Sequence, residues 1–424
     1  MPHLTRSFRH RNYQLFFGGQ LISLTGTWMQ QIAQSWLVYR LTKSSQLLGL
    51  VSFAGQIPVF LFAAIGGAAA DRRHRHRIIV WTQTLSMALA FVLAALTLTG
   101  IVRVWHLFVL SALLGLVNAF DIPARQAFMV EMVGREDLMN AIALNSSMVN
   151  GARVVGPAIA GALVAAVGEG WCFLLNGVSY IAVIVGLLLM KVPRIDRTAS
   201  KRSAVADIAE GFAYVWRTAP IRAVLLLLGI VSLTAMPYAV LMPVFADEIL
   251  HGGAKTLGLL TGATGVGALV GALSLAARKG VKGLGRWIAV SSLAFGGALI
   301  LFAASRSLWL SIAALVPVGG AMMAQMAASN TIIQAMSPDA LRGRVMAVYS
   351  MMFMGMAPFG ALFAGSVAER IGAPMTVALG GIACIVAALV FALRLPALRG
   401  PARQLVVAQG MVGGDPPAEV TAQS

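Results

Sequence analysis

Residues 47–77 read LLGLVSFAGQIPVFLFAAIGGAAADRRHRHR, an apolar stretch of twenty-four residues without an ionisable side chain, followed by a short basic loop. A helix rises about 1.5 Å per residue, and the hydrocarbon core of a bilayer is about 30 Å thick. About 20 apolar residues are therefore enough to cross it. The stretch predicts a membrane-spanning helix that ends at a charged loop.

The same pattern recurs along the chain. Of its 424 residues, 58% are apolar and 11% are charged, and the mean hydropathy is +0.82. A soluble domain carries about 25% charged residues, so soluble enzyme folds are excluded. Backbone groups in lipid must be satisfied within each segment, and the alternation of a β-barrel is absent, so we expect an all-α membrane protein. Twelve segments qualify as transmembrane helices: 13–38, 47–70, 78–99, 104–129, 141–167, 171–190, 221–245, 257–277, 287–304, 308–336, 345–368 and 375–393.

The twelve segments form two groups of six around a longer polar stretch. We expect a cytoplasmic N-terminus (1–12), a six-helix bundle (13–190), a cytoplasmic linker (191–220), a second six-helix bundle (221–396) and a disordered cytoplasmic tail (397–424). The linker is predicted to contain an amphipathic helix on the inner leaflet, because six apolar residues share one helical face: Val205, Ile208, Ala209, Phe212, Val215 and Trp216.

Basic residues set the expected orientation. The chain has 32 Lys and Arg against 15 Asp and Glu, a formal charge of +17. If the N-terminus is inside, twenty-four of the basic residues fall in cytoplasmic segments, six fall outside, and Arg125 and Arg153 lie within spans. This bias predicts a multi-pass protein of the cell (inner) membrane with both termini in the cytoplasm. Since the charge is spread between apolar blocks, we do not expect a nucleic-acid partner.

Three ionisable residues lie well inside predicted spans, away from their first residues, and a charge costs about 2.5–3.5 kcal/mol at the helix centre. They are Asp121, Arg125 and Arg153. Asp121 and Arg153 are expected at similar depth on neighbouring helices, whereas Asp121 and Arg125 are one turn apart on one helix. Both pairings are open. Asp121 is either a proton-coupling site or half of a structural ion pair, and the structural role is favoured.

Uncharged polar residues within the spans are candidates for a substrate cavity. Gln30 and Gln34 share one face of the first span, which makes them the best candidates. The other candidates lie in the fourth, fifth and tenth spans: Asn118, Gln126, Asn150 and Gln325. For each residue alone, a hydrogen bond that joins two helices is the more common role.

Catalytic and metal-binding patterns are absent from the sequence. Cys172 and Cys384 lie in apolar surroundings without metal-ligand spacing, and the six histidines are scattered. No Ser/His/Asp arrangement recurs. We therefore expect no enzymatic activity, no cofactor and no metal ion.

The loop after the second span, Gly67-Ala-Ala-Ala-Asp71-Arg72-Arg73-His74-Arg75-His76, resembles the signature loop of the major facilitator superfamily. Gly67, Asp71, Arg72 and Arg75 match that pattern, while His74 replaces its second glycine. The resemblance implies that the matching residues form a gate at the cytoplasmic side of the two bundles. It also implies a possible contact between Arg75 and Asp121.

Two further stretches carry the resemblance. The fifth span is similar to the motif of superfamily antiporters, at Ala152, Gly156, Pro157, Ala160 and Gly161. The stretches Asn118-Ala-Phe-Asp-Ile-Pro-Ala-Arg-Gln126 and Leu341-Arg-Gly-Arg344 resemble the branch that contains the enterobactin exporter and macrolide efflux proteins.

The resemblance implies two pseudo-symmetric six-helix bundles that rock about a central site. It implies a secondary transporter that exports an amphipathic small molecule, such as a drug, macrolide or siderophore, in exchange for protons, and that acts as a monomer. Two alternatives remain open. One is a lipid or lysophospholipid transporter of the same fold, and the other, less favoured, is a channel.

Overall fold

The computed structural model describes residues 6–191, 204–278 and 280–409. Helices make up nearly all of these three ranges, and no strand occurs within them. The predicted all-α architecture is confirmed.

The first half begins with a short 3-10 helix, Arg6–Arg9, and continues with six long helices. They are α1 (Arg11–Thr42), α2 (Ser45–Arg72), α3 (Arg75–Leu98), α4 (Val104–Val133), α5 (Leu138–Val167) and α6 (Glu169–Leu188). The helices are continuous because each carries a long apolar run, and they end at short polar or glycine-containing turns such as Lys43 and Gly134.

The second half contains α7 (Ala204–Arg217), α8 (Ala219–Thr234), α9 (Tyr238–Val244), α10 (Gly253–Ala276), α11 (Leu284–Ala304), α12 (Leu308–Met336), α13 (Asp339–Ser350), α14 (Ala357–Ile371) and α15 (Ala373–Ala408). A π-helical turn follows α9 at Phe245–Ile249, and another follows α13 at Met351–Gly355. These turns join shorter helices into continuous spans, Ala219–Ile249 and Asp339–Ile371.

Eleven helical segments of the described ranges are long and apolar enough to cross a membrane. The segment that does not qualify is α1, although it has 32 residues. Five glutamines lower its hydropathy: Gln14, Gln20, Gln30, Gln31 and Gln34. With α1 included, each of the twelve predicted segments corresponds to a helix, and the membrane fold is confirmed.

The C-terminal segment differs from its predicted structure. Helix α15 continues to Ala408, so residues 397–408 are helical where we expected the start of a disordered tail. Residues 410–424 lie outside the described part of the chain, as do 1–5, 192–203 and the side chain of Val205.

Helix α7 lies where the linker is expected to contain an amphipathic helix. Gly211 and Val215 are buried, whereas Phe212 and Trp216, one turn apart, are exposed. Glu210 forms an ion pair of 2.6 Å with Arg344 of α13, which fixes α7 against that helix. The predicted position of α7 on the inner leaflet stays a prediction.

Contacts divide the chain into two compact units. Unit 1 contains Met1–Lys201, Ala239–Gly265 and Ala361–Ala373, and unit 2 contains Arg202–Tyr238, Val266–Gly360 and Pro374–Ser424. Unit 1 therefore holds the first six long helices together with α9 from residue 239 onward, the first half of α10 and most of α14. The predicted bundle boundaries, 13–190 and 221–396, stay a prediction.

Unit 1 has two ends, which we name after its loops. The α2–α3 end is the end at which α2 ends and α3 begins, and the α1–α2 end is the opposite one. Within the unit, α2 packs along α4, α1 along α5 and α6, and α3 along α4 and α6. A core of large side chains lies toward the α2–α3 end, including Tyr13, Phe16, Ile79, Phe128 and Leu187. Van der Waals packing of this kind holds helices together in lipid.

In unit 2, α11 packs along α12. Small residues allow close approach at two further crossings. A β-carbon on Gly267 of α10 would lie 3.0 Å from the Gly320 nitrogen of α12, and one on Gly296 of α11 would lie 2.6 Å from the Gly381 carbonyl oxygen of α15. These crossings depend on glycine because a larger residue would separate the helices.

Candidate functional site

Asp121 lies in a buried polar cluster of unit 1. Its carboxylate accepts hydrogen bonds from Thr82 Oγ1 at 2.6 Å and Gln83 Nε2 at 2.9 Å, both on α3. It also forms an ion pair with Arg125, one turn further along α4. Arg125 in turn donates to Gln20 Oε1 of α1 at 2.6 Å. The cluster therefore joins three helices through one carboxylate and one guanidinium.

The Asp121–Arg125 pairing is thus the arrangement in the structure. The side chain of Asp121 is 3% exposed, and that of Arg125 is 24% exposed. The guanidinium of Arg153 on α5 lies over the ring of Trp28 on α1, 4.9 Å from its centroid. A cation over an aromatic face is attracted by the negative face of the ring, so Arg153 stabilises the contact between α1 and α5.

Arg75 forms a second polar centre, at the α2–α3 end. Its guanidinium donates to the carbonyl oxygens of Ala70 and Ala127 at 3.1 and 3.0 Å, to Glu131 Oε1 at 2.9 Å and to Asp71 Oδ1 at 3.2 Å. Arg75 is mostly buried, whereas Asp71 is exposed. The buried acid partner of Arg75 is therefore Glu131 rather than Asp121, and the Arg75 side chain joins the end of α2 to α4.

The other residues of the signature loop have different surroundings. Arg72 is exposed, and a β-carbon on Gly67 would meet nothing within 4 Å. At the neighbouring Gly66, a β-carbon would overlap the carbonyl oxygen of Ala119 on α4. The glycine that allows α2 to approach α4 is therefore Gly66, a residue that the pattern does not single out.

Asp137, just before α5, is the third polar centre and lies outside the spans. Its carboxylate is 1% exposed and contacts His10 Nε2 at 2.8 Å, Arg9 Nε at 2.8 Å and Arg6 Nε at 3.3 Å. The hydrogen bond to His10 and the charges of Arg9 and Arg6 lower the pKa of this carboxyl, against the opposing effect of burial. The N-terminal segment is thereby fixed against the start of α5.

The candidate cavity residues fall into two groups. Gln30 Oε1 accepts from Asn176 Nδ2 at 2.7 Å, and Gln34 Nε2 donates to Ser111 Oγ at 2.6 Å. Asn150 Nδ2 donates to the Ser146 carbonyl oxygen at 2.8 Å on its own helix. The hydrogen bonds of Gln30 and Gln34 each join two helices, whereas that of Asn150 stays within α5.

The remaining candidates have polar atoms available to a ligand. Gln126 is exposed and Asn118 is half-buried. In unit 2, Gln325 is 2% exposed, and its Nε2 has no hydrogen-bond partner among the described residues. A buried amide without a partner is costly, so Gln325 offers a donor to a molecule that reaches it.

The antiporter-like motif of α5 is a packing surface. Ala152, Gly156, Pro157, Ala160 and Gly161 are all buried. A β-carbon on Gly156 would lie 2.6 Å from the Trp28 β-carbon of α1, and one on Gly161 would lie 3.0 Å from the Gly258 Cα of α10. The motif therefore lets α5 lie against two helices of unit 1 at once.

At the α1–α2 end of unit 1, polar side chains connect the first two helices to segments from the second half of the sequence. The buried Tyr39 donates to Glu248, and Lys43 forms an ion pair with Asp247. Glu369 Oε2 accepts from Ser44 Oγ and from the Gln46 backbone nitrogen, both at 3.0 Å. We call these contacts the end latch.

Close backbone packing accompanies the end latch. A β-carbon on Gly49 of α2 would overlap the Ala361 carbonyl oxygen of α14. Next to the latch, Arg40 forms a bidentate pair with Glu169 of α6 at 2.7 and 3.2 Å, which stays within the first six helices. The acids of this region and Glu131 are not among the residues that the sequence predicts as functional. The available signal was the scarcity of acids: only 15 occur in the chain.

A bundle of membrane-spanning helices with buried ion pairs and small-residue crossings has the features of a membrane transport protein. Comparisons with known proteins agree. The chain is 26% identical to the staphyloferrin A transporter of Staphylococcus aureus, an alignment that covers 89% of this chain and 94% of that protein. It is 28% identical to the multidrug efflux pump Tap of Mycobacterium tuberculosis, over 89% and 92% of the two chains.

Residues 5–407 match the transmembrane secretion effector family of the major facilitator superfamily, and the chain belongs to that family. The fold is also similar to the crystal structure of a bacterial homologue of the iron transporter ferroportin, with 18% identity, a TM-score of 0.68, and coverage of 90% of this chain and 98% of the other. The predicted superfamily is confirmed. The protein is a multi-pass membrane transporter and not an enzyme.

Proposed function

We propose that the protein is a proton-coupled exporter of amphipathic small molecules, such as a siderophore, a macrolide or another drug, and that it works by alternating access as a monomer in the inner membrane. The observation that carries this proposal is the similarity to two transporters along 89% of the chain, one named for a siderophore and one for multidrug efflux. The family match covers residues 5–407, which contain all the described membrane-spanning helices apart from the last residue of α15.

The orientation in this proposal has both termini in the cytoplasm. The α2–α3 end of unit 1 then faces the cytoplasm, and the α1–α2 end faces outward. The basic loop at Arg72, Arg73, Arg75 and Arg77 supports this assignment, because loops rich in Lys and Arg remain inside.

The end latch supports alternating access. In the proposed orientation, Tyr39–Glu248, Lys43–Asp247 and the contacts of Glu369 close the outer side, and cargo leaves only after they separate. Asp247 and Lys43 are 29% and 57% exposed. Ion pairs with this exposure contribute about 0–1 kcal/mol each, so they can break in every cycle.

The buried charged residues of the first six helices have a structural role, unlike the residues of the end latch. We propose that Asp121 and Arg125 form a structural pair, because Asp121 has donors on two helices and Arg125 holds a third. In the same way, Asp71, Arg72 and Arg75 form the cytoplasmic gate, in which Arg75 is anchored by Glu131. Cargo contacts come from polar groups that are accessible or unpartnered: Asn118, Gln126 and Gln325.

Transport by purified protein in liposomes tests the proposal. The probes are staphyloferrin A, erythromycin, ethidium and a headgroup-labelled lysophospholipid, each with and without an imposed pH gradient. We expect saturable movement of at least one of the first three, at a rate that the gradient increases and that an uncoupler reduces.

Three results would contradict the proposal. Movement of labelled lysophospholipid alone, without a gradient effect, would identify a lipid transporter. A flux that does not saturate would identify a channel. Transport that is saturable but indifferent to the pH gradient would remove proton coupling while leaving small-molecule transport in place.

A further inference from the structure

A cavity of about 260 Å³ lies at the α2–α3 end of unit 1, next to the Asp137 centre, with which it shares His10. It is formed where α1 begins and where α4 and α6 end. Six residues line it: His10, Arg11, Asn12, Met132, Leu189 and Lys191. Three of them are basic, one is an amide and two are apolar, which is an unusual combination for a protein with only 11% charged residues.

Two cations of the cavity are not neutralised by any carboxylate in the described part of the chain. Arg11 and Lys191 are exposed, and within the described part of the chain neither has a carboxylate within 4 Å. His10 is in contact with Asp137, but that carboxylate is already shared with Arg6 and Arg9. An anion that enters the cavity therefore meets two cations that have no ionic partner among the described residues.

The side-chain amide of Asn12 holds the two cationic sides of the cavity together. Asn12 Nδ2 donates to the Lys191 carbonyl oxygen at 3.0 Å, and the Lys191 nitrogen donates to Asn12 Oδ1 at 3.3 Å. This reciprocal pair fixes the start of α1 to the chain just beyond α6. The positions of Arg11 and Lys191 are thereby set before a ligand arrives, which lowers the entropic cost of binding.

The apolar part of the lining narrows the choice of ligand. Leu189 is 57% exposed and lies next to Lys191 in the sequence, while Met132 is buried. A free phosphate or a nucleotide gains little from an exposed leucine. A molecule with an anionic head and a hydrocarbon chain matches both parts, because its phosphate meets the cations and its first methylene groups meet Leu189.

We propose that this cavity binds the phosphate headgroup of an anionic glycerophospholipid. Arg11 and Lys191 contact the phosphate, and Leu189 contacts the acyl chain. In the proposed orientation, the cavity lies at the boundary of the inner leaflet, where anionic lipids meet basic side chains. The bound lipid links the start of α1 to the end of α6 and stabilises unit 1. This site is independent of the transported substrate.

Lipid binding to the purified full-length protein tests this site. The probes are phosphatidylglycerol, phosphatidylcholine and inorganic phosphate, with binding measured by native mass spectrometry and stability by thermal unfolding in detergent. We expect wild-type protein to retain and be stabilised by phosphatidylglycerol, with little effect of the other two probes. Arg11→Ala with Lys191→Ala should weaken phosphatidylglycerol binding about thirtyfold, since each basic residue contributes a factor of about five.

A matched control removes the same charge elsewhere. Lys282→Ala with Arg399→Ala also replaces two exposed basic residues, neither of which lines the cavity, and it should bind phosphatidylglycerol as the wild type does. Equal loss in both double variants would show that net charge alone attracts the lipid and would overturn the proposal.

Two results with the wild-type protein alone would also overturn it. Equal stabilisation by inorganic phosphate would mean that the cavity takes a free anion. Equal stabilisation by phosphatidylcholine would mean that the protein responds to lipid in general. Both measurements stand even if a variant fails to fold.

Discussion

The two ends of unit 1 are built from similar residues but connect different parts of the chain. At the α2–α3 end and in the adjoining buried cluster, polar contacts join the first six helices to one another, as in Thr82–Asp121, 39 positions apart. At the α1–α2 end they reach much further, since Tyr39 and Glu248 are 209 positions apart and Ser44 and Glu369 are 325 apart. The first set holds a scaffold together, while the second joins that scaffold to segments that follow residue 238.

The acidic side chains of the two regions also differ in burial. The side chains of Asp121 and Glu131 are 3% and 7% exposed, whereas Asp247 is 29% exposed and Glu369 is exposed. Breaking a buried pair by removing one partner costs about 3–5 kcal/mol, while an exposed pair contributes about 0–1 kcal/mol. In the proposed transport cycle, the strong polar contacts lie where unit 1 keeps its shape and the weak ones lie at the end that opens.

The largest effect is expected from Arg125→Met. This change leaves the buried Asp121 carboxylate without its cation, and we expect a loss of about 3 kcal/mol in the free energy of unfolding. Adding Asp121→Asn should restore much of that stability, because the buried negative charge is then also removed. Thermal unfolding of the purified variants in detergent measures both changes.

A double variant that is as unstable as Arg125→Met alone would contradict the claim that the Asp121–Arg125 pair stabilises the buried cluster. It would mean that Arg125 acts through its packing or through Gln20 rather than through its pairing with Asp121.

A smaller effect is expected from two glycines of α2. Gly66→Ala introduces a methyl group against the Ala119 carbonyl oxygen, inside the scaffold, and should cost about 1–3 kcal/mol of stability. Gly49→Ala introduces one against the Ala361 carbonyl oxygen, at the α1–α2 end, which opens in the proposed cycle. We expect that variant to keep near-normal stability while a cysteine placed at Ser45 becomes more accessible to a water-soluble reagent.

Gly67→Ala is the control for both glycine variants, because its added methyl group has open space. The comparison would be wrong if Gly49→Ala destabilised the protein as strongly as Gly66→Ala without any change in accessibility.

The smallest effect is expected at Asp137. Its pKa is lowered by His10, Arg9 and Arg6, so this carboxyl contributes stability above its ordinary pKa, and the contribution is lost as the pH falls through the lowered value. The difference in melting temperature between wild type and Asp137→Asn should therefore be constant from pH 8 to about pH 5 and shrink below about pH 4. A difference that disappears between pH 7 and pH 6 would show that another group controls this contact.

Much of the fold follows from the sequence because long apolar segments in lipid have one stable backbone form. The spans, their number and the superfamily were predictable from hydropathy and from the loop at Asp71–Arg75. The sequence is compatible with an ion pair of Asp121 with either Arg125 or Arg153, and only the structure shows that Arg125 is the partner. Residue spacing does not determine how neighbouring helices are rotated toward one another. The role of Gly66 was hidden for the same reason.

The end latch was the least predictable feature. Tyr39, Lys43, Asp247, Glu248 and Glu369 lie at helix ends in unrelated local sequences, and none has a motif. Their contacts depend on how distant segments come together, which neither hydropathy nor periodicity reports. The scarcity of acids in the chain points to these candidates but not to their partners.

Reversible cross-linking tests the central claim most directly. Two double-cysteine variants, Lys43→Cys with Asp247→Cys and Arg40→Cys with Glu169→Cys, are joined by oxidation or a short thiol cross-linker, reconstituted and assayed for transport. The native Cys172 and Cys384 are buried and remain in place. We predict that the first cross-link stops transport until a reductant or cleavage restores it, and that the second leaves transport near the wild-type rate. Full transport by the cross-linked Lys43–Asp247 variant, verified as cross-linked on a gel, would contradict the account.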